Sequence, residues 1–448
     1  MSPMAAPADV ALAEAVAAFD TTPAVLDGIA HEFGLQIGRG LAGAGGSLKM
    51  LRTFTRQPTG RERGLVVVVD WGGTKGRAGI VELAGAGAAR VVTEEVFTFS
   101  SQDKVGAIAP VFDVVATAVG RIVADRPAAA YPLAFVYSFP ARLERIDRAV
   151  ALALTKGWSV AGLEGQDVAA LLSAALERRG LTRVTVTAVA NDTVATLMLQ
   201  SYRARATGGR PADIGLILGT GTNQAADLGP DGIRNLESGN FDGVAPVATR
   251  YDVALDRELL DPKPGAQRLE KMVSGRYLGE LLRRVVCDLG QRTVQFRGVA
   301  GSAFATPFAV DSEHLSRIAT DRTAGLDQLG ALLRTFGLAS SRSEREGVRE
   351  LSAAIVRRSA RLVAATLLGT LQVIDPALAD RRTVAVDGSL WGGYPGFAGL
   401  VRGAFIDLVG AERADRIELA FVKDSTSIGA AVIAAVAASQ GSERCSSG

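Results

Sequence analysis

One strand-to-turn design occurs twice in this chain. Leu65-Val66-Val67-Val68-Val69-Asp70 runs into Trp71-Gly72-Gly73-Thr74-Lys75-Gly76-Arg77, and Ile214-Gly215-Leu216-Ile217-Leu218 runs into Gly219-Thr220-Gly221-Thr222-Asn223. Each is a short apolar run rich in branched residues, broken at once by glycines and a threonine. That is the pattern of a buried strand followed by an unobstructed turn. Such a turn aims backbone N–H groups at an anion, with the threonine hydroxyl as a further donor. A single turn of this kind means little. The pair predicts a clamp that grips a polyphosphate from both sides.

The chain has 448 residues, more than one ordinary domain holds, so two or three domains are expected. Apolar residues at 48% allow a large core, and a formal net charge of +2 lacks the basic excess of a nucleic-acid surface. The two cysteines, Cys287 and Cys445, stand in no metal spacing, which points away from a disulfide framework and towards a reducing compartment. His31 and His314 both lie away from the glycine-rich turns, so histidine acid–base chemistry is not expected. Met1 to Val16 lacks the order of a signal peptide, and no apolar run reaches membrane-spanning length. A soluble cytoplasmic protein without a membrane or nucleic-acid partner is the expectation.

Strand and helix patterns alternate along the chain, the mark of an α/β protein with mixed sheets. Helices are expected over Pro7–Leu41, Pro110–Ala124, Val168–Arg179, Leu269–Leu289, Arg349–Val373 and Ile428–Ala438. Further strands are expected at Leu133–Tyr137, Val184–Val189 and Thr383–Asp387. Polar and glycine-bearing residues follow the strand ends, where open α/β sheets bind ligands.

Several of those residues could carry chemistry. Asp70 suits either the water shell of a Mg²⁺ beside bound phosphates or an Asx-turn or helix cap. Asp192, in Asn191-Asp192-Thr193, is either an N-cap or a general base that accepts a hydroxyl proton during phosphoryl transfer. Lys156, in Thr155-Lys156-Gly157-Trp158, is either solvated or a source of positive charge for a transferring phosphoryl group. Asn235, Glu237 and Glu270 offer the donors and acceptors that a polyol needs, although Glu270 also fits a helix-dipole partner.

In this order the motifs resemble the eukaryotic-type hexokinase and glucokinase family of the actin-like ATPase superfamily. The series comprises the Asp70–Arg77 loop, Ser138-Phe139-Pro140, Thr155-Lys156-Gly157-Trp158, Asn191-Asp192-Thr193, Gly219-Thr220-Gly221-Thr222-Asn223, Glu270-Lys271-Met272-Val273-Ser274-Gly275 and Val386-Asp387-Gly388-Ser389. The resemblance implies an α/β, two-domain actin-like ATPase (ribonuclease H-like) fold with mixed sheets and an interdomain cleft. Its small domain would hold residues 66–189 plus 427–446, and its large domain 1–65 plus 190–426. It implies Asp192 as the base for the sugar 6-hydroxyl, with Lys156 near the transferring phosphoryl group. Ser138, Thr155, Lys156, Asn191, Asp192, Asn223, Glu237 and Glu270 would hold the hexose. ATP would lie against Asp70, Gly72, Gly73, Thr74, Arg77, Gly219, Thr220, Gly221, Thr222, Gly388, Ser389 and Thr426, with Mg²⁺ reached from Asp70 through water.

The implied activity is transfer of phosphate from ATP to a hexose, glucose first, with sugar-induced domain closure, in a monomer or a homodimer. A kinase for mannose, fructose or glucosamine, or one using another phosphoryl donor, is the alternative. A sugar-binding sensor with little catalysis is the alternative of another class. The chain departs from the family pattern at Ser238, where tryptophan is usual, over Asn240–Arg250, at Ser425-Thr426-Ser427 in place of glycine-serine-glycine, and at Trp71, where a smaller aliphatic residue is usual.

Overall fold

The computed structural model describes residues 8–72, 75–126, 130–152 and 158–446. The chain forms two mixed sheets in an α/β, two-domain arrangement. In the first sheet the strand order is Ala88–Thr98, Lys75–Gly85, Arg63–Trp71, Tyr131–Tyr137, Val184–Ala190. The first three strands pair antiparallel and the last two join in parallel. The helices Ile108–Val123 and Val168–Arg178 make the two crossovers.

The near-continuous apolar run Val66–Val69 follows from burial on both faces. Val67 and Val69 join a core with Phe112, Val115 and Leu172, while Val66 and Val68 join another with Leu197, Ala430 and Ile433. Trp71 ends that strand, fully buried, with ring contacts to Phe99, Phe112, Phe135, Tyr137, Phe139 and Trp158. This aromatic cluster gives the indole its place at a position where a smaller side chain is usual.

The second sheet runs Leu51–Arg52, Ile233–Asn235, Thr222–Asp227, Ile214–Leu218, Arg382–Asp387, Ile417–Phe421. Its early strands pair antiparallel, and Arg382–Asp387 lies parallel to both neighbours. The helices Pro23–Leu41, Gly275–Arg292, Arg342–Ile374 and Phe397–Val409 share its main core.

Two helices lie between the sheets. Asp192–Ala206 packs on the second sheet and Ser425–Ser446 on the first, and the two pack against each other. A Cβ at Gly429 would sit 2.0 Å from the Ala195 carbonyl oxygen, so only glycine permits this approach. The C-terminal helix thus returns to the first sheet although it follows the second in sequence. Among the described residues no helix is long and apolar enough to cross a membrane.

Several elements differ from the sequence expectation. The N-terminal segment is two helices, Ala8–Ala17 and Pro23–Leu41, because Thr22 caps the second and Pro23 opens it. Pro110 is the third residue of its helix rather than the first. The expected helix Leu269–Leu289 is two helices, Arg268–Val273 and Gly275–Arg292, separated at Ser274, whose backbone is extended. The strand Ile417–Phe421 and the helix Phe397–Val409 were not anticipated.

Candidate active site

Both glycine-threonine turns close β-hairpins. Asp70 is paired with Arg77 across the first, and Leu218 with Thr222 across the second. Gly72 follows the first strand, while Gly73 and Thr74 lie outside the described residues, as do Thr155 and Lys156. Asp70 is half-buried and Arg77 exposed. Ser138, directly after the adjacent parallel strand, donates its N–H to the Trp71 carbonyl at 3.4 Å. The first turn and the Ser138 segment therefore leave the sheet at the same edge.

Strand Val184–Ala190 ends beside them and delivers Asn191-Asp192. The N-cap of the following helix is Asn191, whose Oδ1 accepts from the Thr193 N–H at 2.9 Å. Asp192 is the first helical residue, and its Oδ1 takes the Thr193 N–H at 2.8 Å. Asn191 is the N-cap, and Asp192, which shares the Thr193 N–H with it, sets a carboxylate at the junction of the two sheets.

In the second turn, the Thr222 hydroxyl donates to the Ile217 carbonyl at 3.0 Å and the Thr222 N–H to Glu270 Oε2 at 3.0 Å. Both Thr222 donors are thus used within the protein, while Thr220 is exposed at the turn tip. The turn carbonyls of Gly219 and Thr220 accept from the N–H groups of Gly275 and Arg276 at 2.8 and 3.2 Å. These are the first residues of Gly275–Arg292, so the break at Ser274 supplies unsatisfied helix donors to hold the turn. Tyr277 is pushed up to about 12 by burial and by the charge of Glu270, so its phenol stays protonated at neutral pH.

The remaining sugar candidates form one polar web. Asn223 Nδ2 donates to Asn235 Oδ1 at 2.8 Å, and Asn235 Nδ2 donates to Glu237 Oε1 at 2.8 Å. Asn223 Oδ1 accepts from the Ser238 N–H at 3.1 Å. Glu237 adopts a left-handed backbone at φ 52°. Asn191, Asn235 and Glu237 line one cavity of about 40 Å³ with Tyr137 and Phe139, the neighbours of Ser138. The web therefore faces the edge that carries Ser138 and Asn191.

A second cavity, about 450 Å³, opens between Thr220, Gly275, Arg276, Ser312, Ser316 and Ser389, with Asp311 and Glu313 on its rim. Gly388 makes the approach to the second turn possible. Its φ is +127°, and a Cβ there would sit 2.3 Å from the Leu218 carbonyl oxygen. Thr426 lies one residue into the C-terminal helix, half-buried. The sequence reading missed Arg276, Ser312 and Ser316. The only local signal was Ser274-Gly275 interrupting a helical pattern; Ser312 and Ser316 give none. His314 completes a capping box with Asp311 and packs its ring against Phe336. A larger hollow of about 790 Å³ on the first sheet, lined by Glu94, Glu95, Arg121 and Tyr131, contains none of the candidate residues.

A sequence model described as hexokinase matches residues 11–202, and a second one of the same description matches residues 213–436. Hexokinase-1 of Schizosaccharomyces pombe is 32% identical over 92% of this chain and 88% of its own length. Hexokinase-7 of Oryza sativa subsp. japonica is 34% identical over 92% and 94%. A hexokinase crystal structure superposes with a TM-score of 0.84 at 28% identity, covering 96% of this chain and 99% of the other. The hexokinase from Schistosoma mansoni complexed with glucose gives 0.82 at 27% identity, over 96% and 100%. The fold is that of the actin-like ATPases, and the chain belongs to the hexokinase family, enzymes that phosphorylate a hexose with ATP.

Proposed function

We propose that this chain transfers the γ-phosphoryl group of ATP to the 6-hydroxyl of D-glucose, with Asp192 as the general base. The observation that carries the reading is the placement of Asp192. It stands at the first helical position beside the N-cap Asn191, and Asn191 shares a cavity with Asn235 and Glu237. In the proposed step the Asp192 carboxylate takes the proton as the sugar oxygen bonds to the γ-phosphorus. The bond from that phosphorus to the β,γ-bridging oxygen breaks, and ADP leaves.

Asn223, Asn235, Glu237 and Glu270 hold the hexose hydroxyls in this reading, with Ser138, Thr155 and Lys156 as further ligands. Thr220 and Ser389 hold the nucleotide end, with the first turn across the phosphates. The fit of a Mg²⁺ rests on the donor present: an ion carried with ATP needs few protein carboxylates, and the half-buried Asp70 supplies one. Asp70, at the strand end beside Gly72, would reach it through water. When bound, the ion neutralises charge on the phosphates.

The proposed domains are residues 66–189 with 427–446, and 1–65 with 190–426. Closure of one on the other around the sugar would exclude water that could otherwise accept the phosphoryl group. The relative solved with glucose supports glucose as acceptor. The test is hexose-dependent ADP production across glucose, mannose, fructose and glucosamine. Glucose should give the highest kcat/KM, and absence of turnover with glucose and ATP rejects the proposal.

A further inference from the structure

A hydrogen-bonded chain, buried at its centre, that none of the roles above uses runs from Asp192 to the Gly388–Ser389 turn. Asp387 ends its strand, and its Oδ1 accepts from the Gly388 N–H at 2.7 Å. Its Oδ2 accepts from both the N–H and the hydroxyl of Ser425, each at 2.7 Å. Ser425 opens the C-terminal helix, so this carboxylate also meets the positive end of a helix dipole. Ser425 Oγ lies 2.7 Å from Thr196 Oγ1, and Thr196 Oγ1 lies 3.0 Å from the Asp192 carbonyl oxygen. Thr196 and Ser425 are both fully buried.

Counting protons gives the chain a direction. An ionised carboxylate only accepts, so the Ser425 hydroxyl proton goes to Asp387. The Ser425 oxygen is then the acceptor for Thr196. The single Thr196 proton is shared between Ser425 and the Asp192 carbonyl. Where the chain is buried, at Thr196 and Ser425, a link is costly to leave unmade.

Asp387 bears directly on the wall of the cavity of about 450 Å³. A Cβ on Gly219 would lie 3.1 Å from the Ser389 nitrogen, so the Gly388–Ser389 turn and the second glycine turn touch. Thr220 and Ser389, one from each, line that cavity. We infer that Ser425 is a positioning residue for the nucleotide: its hydroxyl holds Asp387, and through Asp387 the turn that shapes the donor cavity, against the helix that carries Asp192. This rests on the reading of that cavity as the ATP site.

The test uses the full chain with Ser425→Ala, Thr196→Val and the double variant. ATP binding is measured by calorimetry without acceptor, and kinetics with ATP and hexose varied separately. Loss of a hydrogen bond to a charged group should raise the ATP Kd and KM about tenfold in Ser425→Ala, with the hexose KM within about twofold. Thr196→Val should have a smaller effect, and the double variant should match Ser425→Ala, because Thr196 acts through Ser425. Unchanged ATP affinity in Ser425→Ala overturns the inference. So does an equal rise in both KM values with a lowered melting temperature, which marks general loosening. Should Ser425→Ala not fold, Thr196→Val decides: wild-type ATP affinity in that variant overturns the inference. A parent chain that binds ATP but phosphorylates no hexose rejects the functional reading and leaves this inference to the Kd values. A parent that binds no ATP rejects both.

Discussion

Glu270 Oε2 accepts the Thr222 backbone N–H at 3.0 Å, which joins a candidate sugar ligand to the second phosphate turn. In the proposed reading one carboxylate thus bears on both substrates. Glu270→Ala should weaken hexose and ATP binding together, each by about tenfold or more, because a charge-assisted hydrogen bond contributes about 1.5–3 kcal/mol. Glu270→Gln keeps a carbonyl oxygen for Thr222, so it should weaken the hexose alone. Separate KM values for the two substrates check this, and equal ATP effects in both variants reject it.

Asp192→Ala should lower turnover by about 10²–10⁴-fold, the usual contribution of a general base, while hexose binding stays measurable. Unchanged kcat would remove Asp192 from the proposed mechanism. Asn191→Ala should instead cost about 1 kcal/mol of stability through loss of the helix cap.

Arg358 is fully buried and makes two hydrogen bonds to Asp252, at 2.6 and 2.8 Å, under the ring of Phe19. Asp252→Ala should cost about 3–5 kcal/mol, since it leaves a buried guanidinium unpaired. Adding Arg358→Met should recover much of that loss. Denaturant midpoints of the three chains check the order.

The Asp380 N–H, and then Arg382, hold the Asp375 carboxyl below its ordinary value of 3.8. A depressed carboxylate contributes stability that is present above its ordinary pKa and lost as pH falls through the folded value. Melting temperature should therefore fall below about pH 4, and less steeply for Asp375→Asn. Identical slopes in the two chains would remove Asp375 from the acid response.

The strands at Leu65–Asp70 and Ile214–Leu218, the two turns and the motif order were legible because they depend on local physics: side-chain branching, burial on both faces and glycine where the chain must turn. The split of Leu269–Leu289 was not legible. Ser274 and Gly275 are tolerable inside a helix, and the break exists because the new helix start holds Gly219 and Thr220. The same holds for Thr222, whose threonine chemistry marks a phosphate turn in sequence but whose donors serve Ile217 and Glu270 in the fold.

The linear chain alone determined the types of the candidate site residues: carboxylates at 192, 237 and 270, amides at 191 and 223, and glycines at both turns. The tertiary structure decided what each of them does for its neighbours. Asn191 rather than Asp192 caps the helix, Glu270 reaches back 48 residues to Thr222, and Ser425 meets Asp387 and Thr196 where two helices cross at Gly429. Such contacts leave no periodic trace in a sequence, because they depend on where packed elements place side chains that are far apart along the chain.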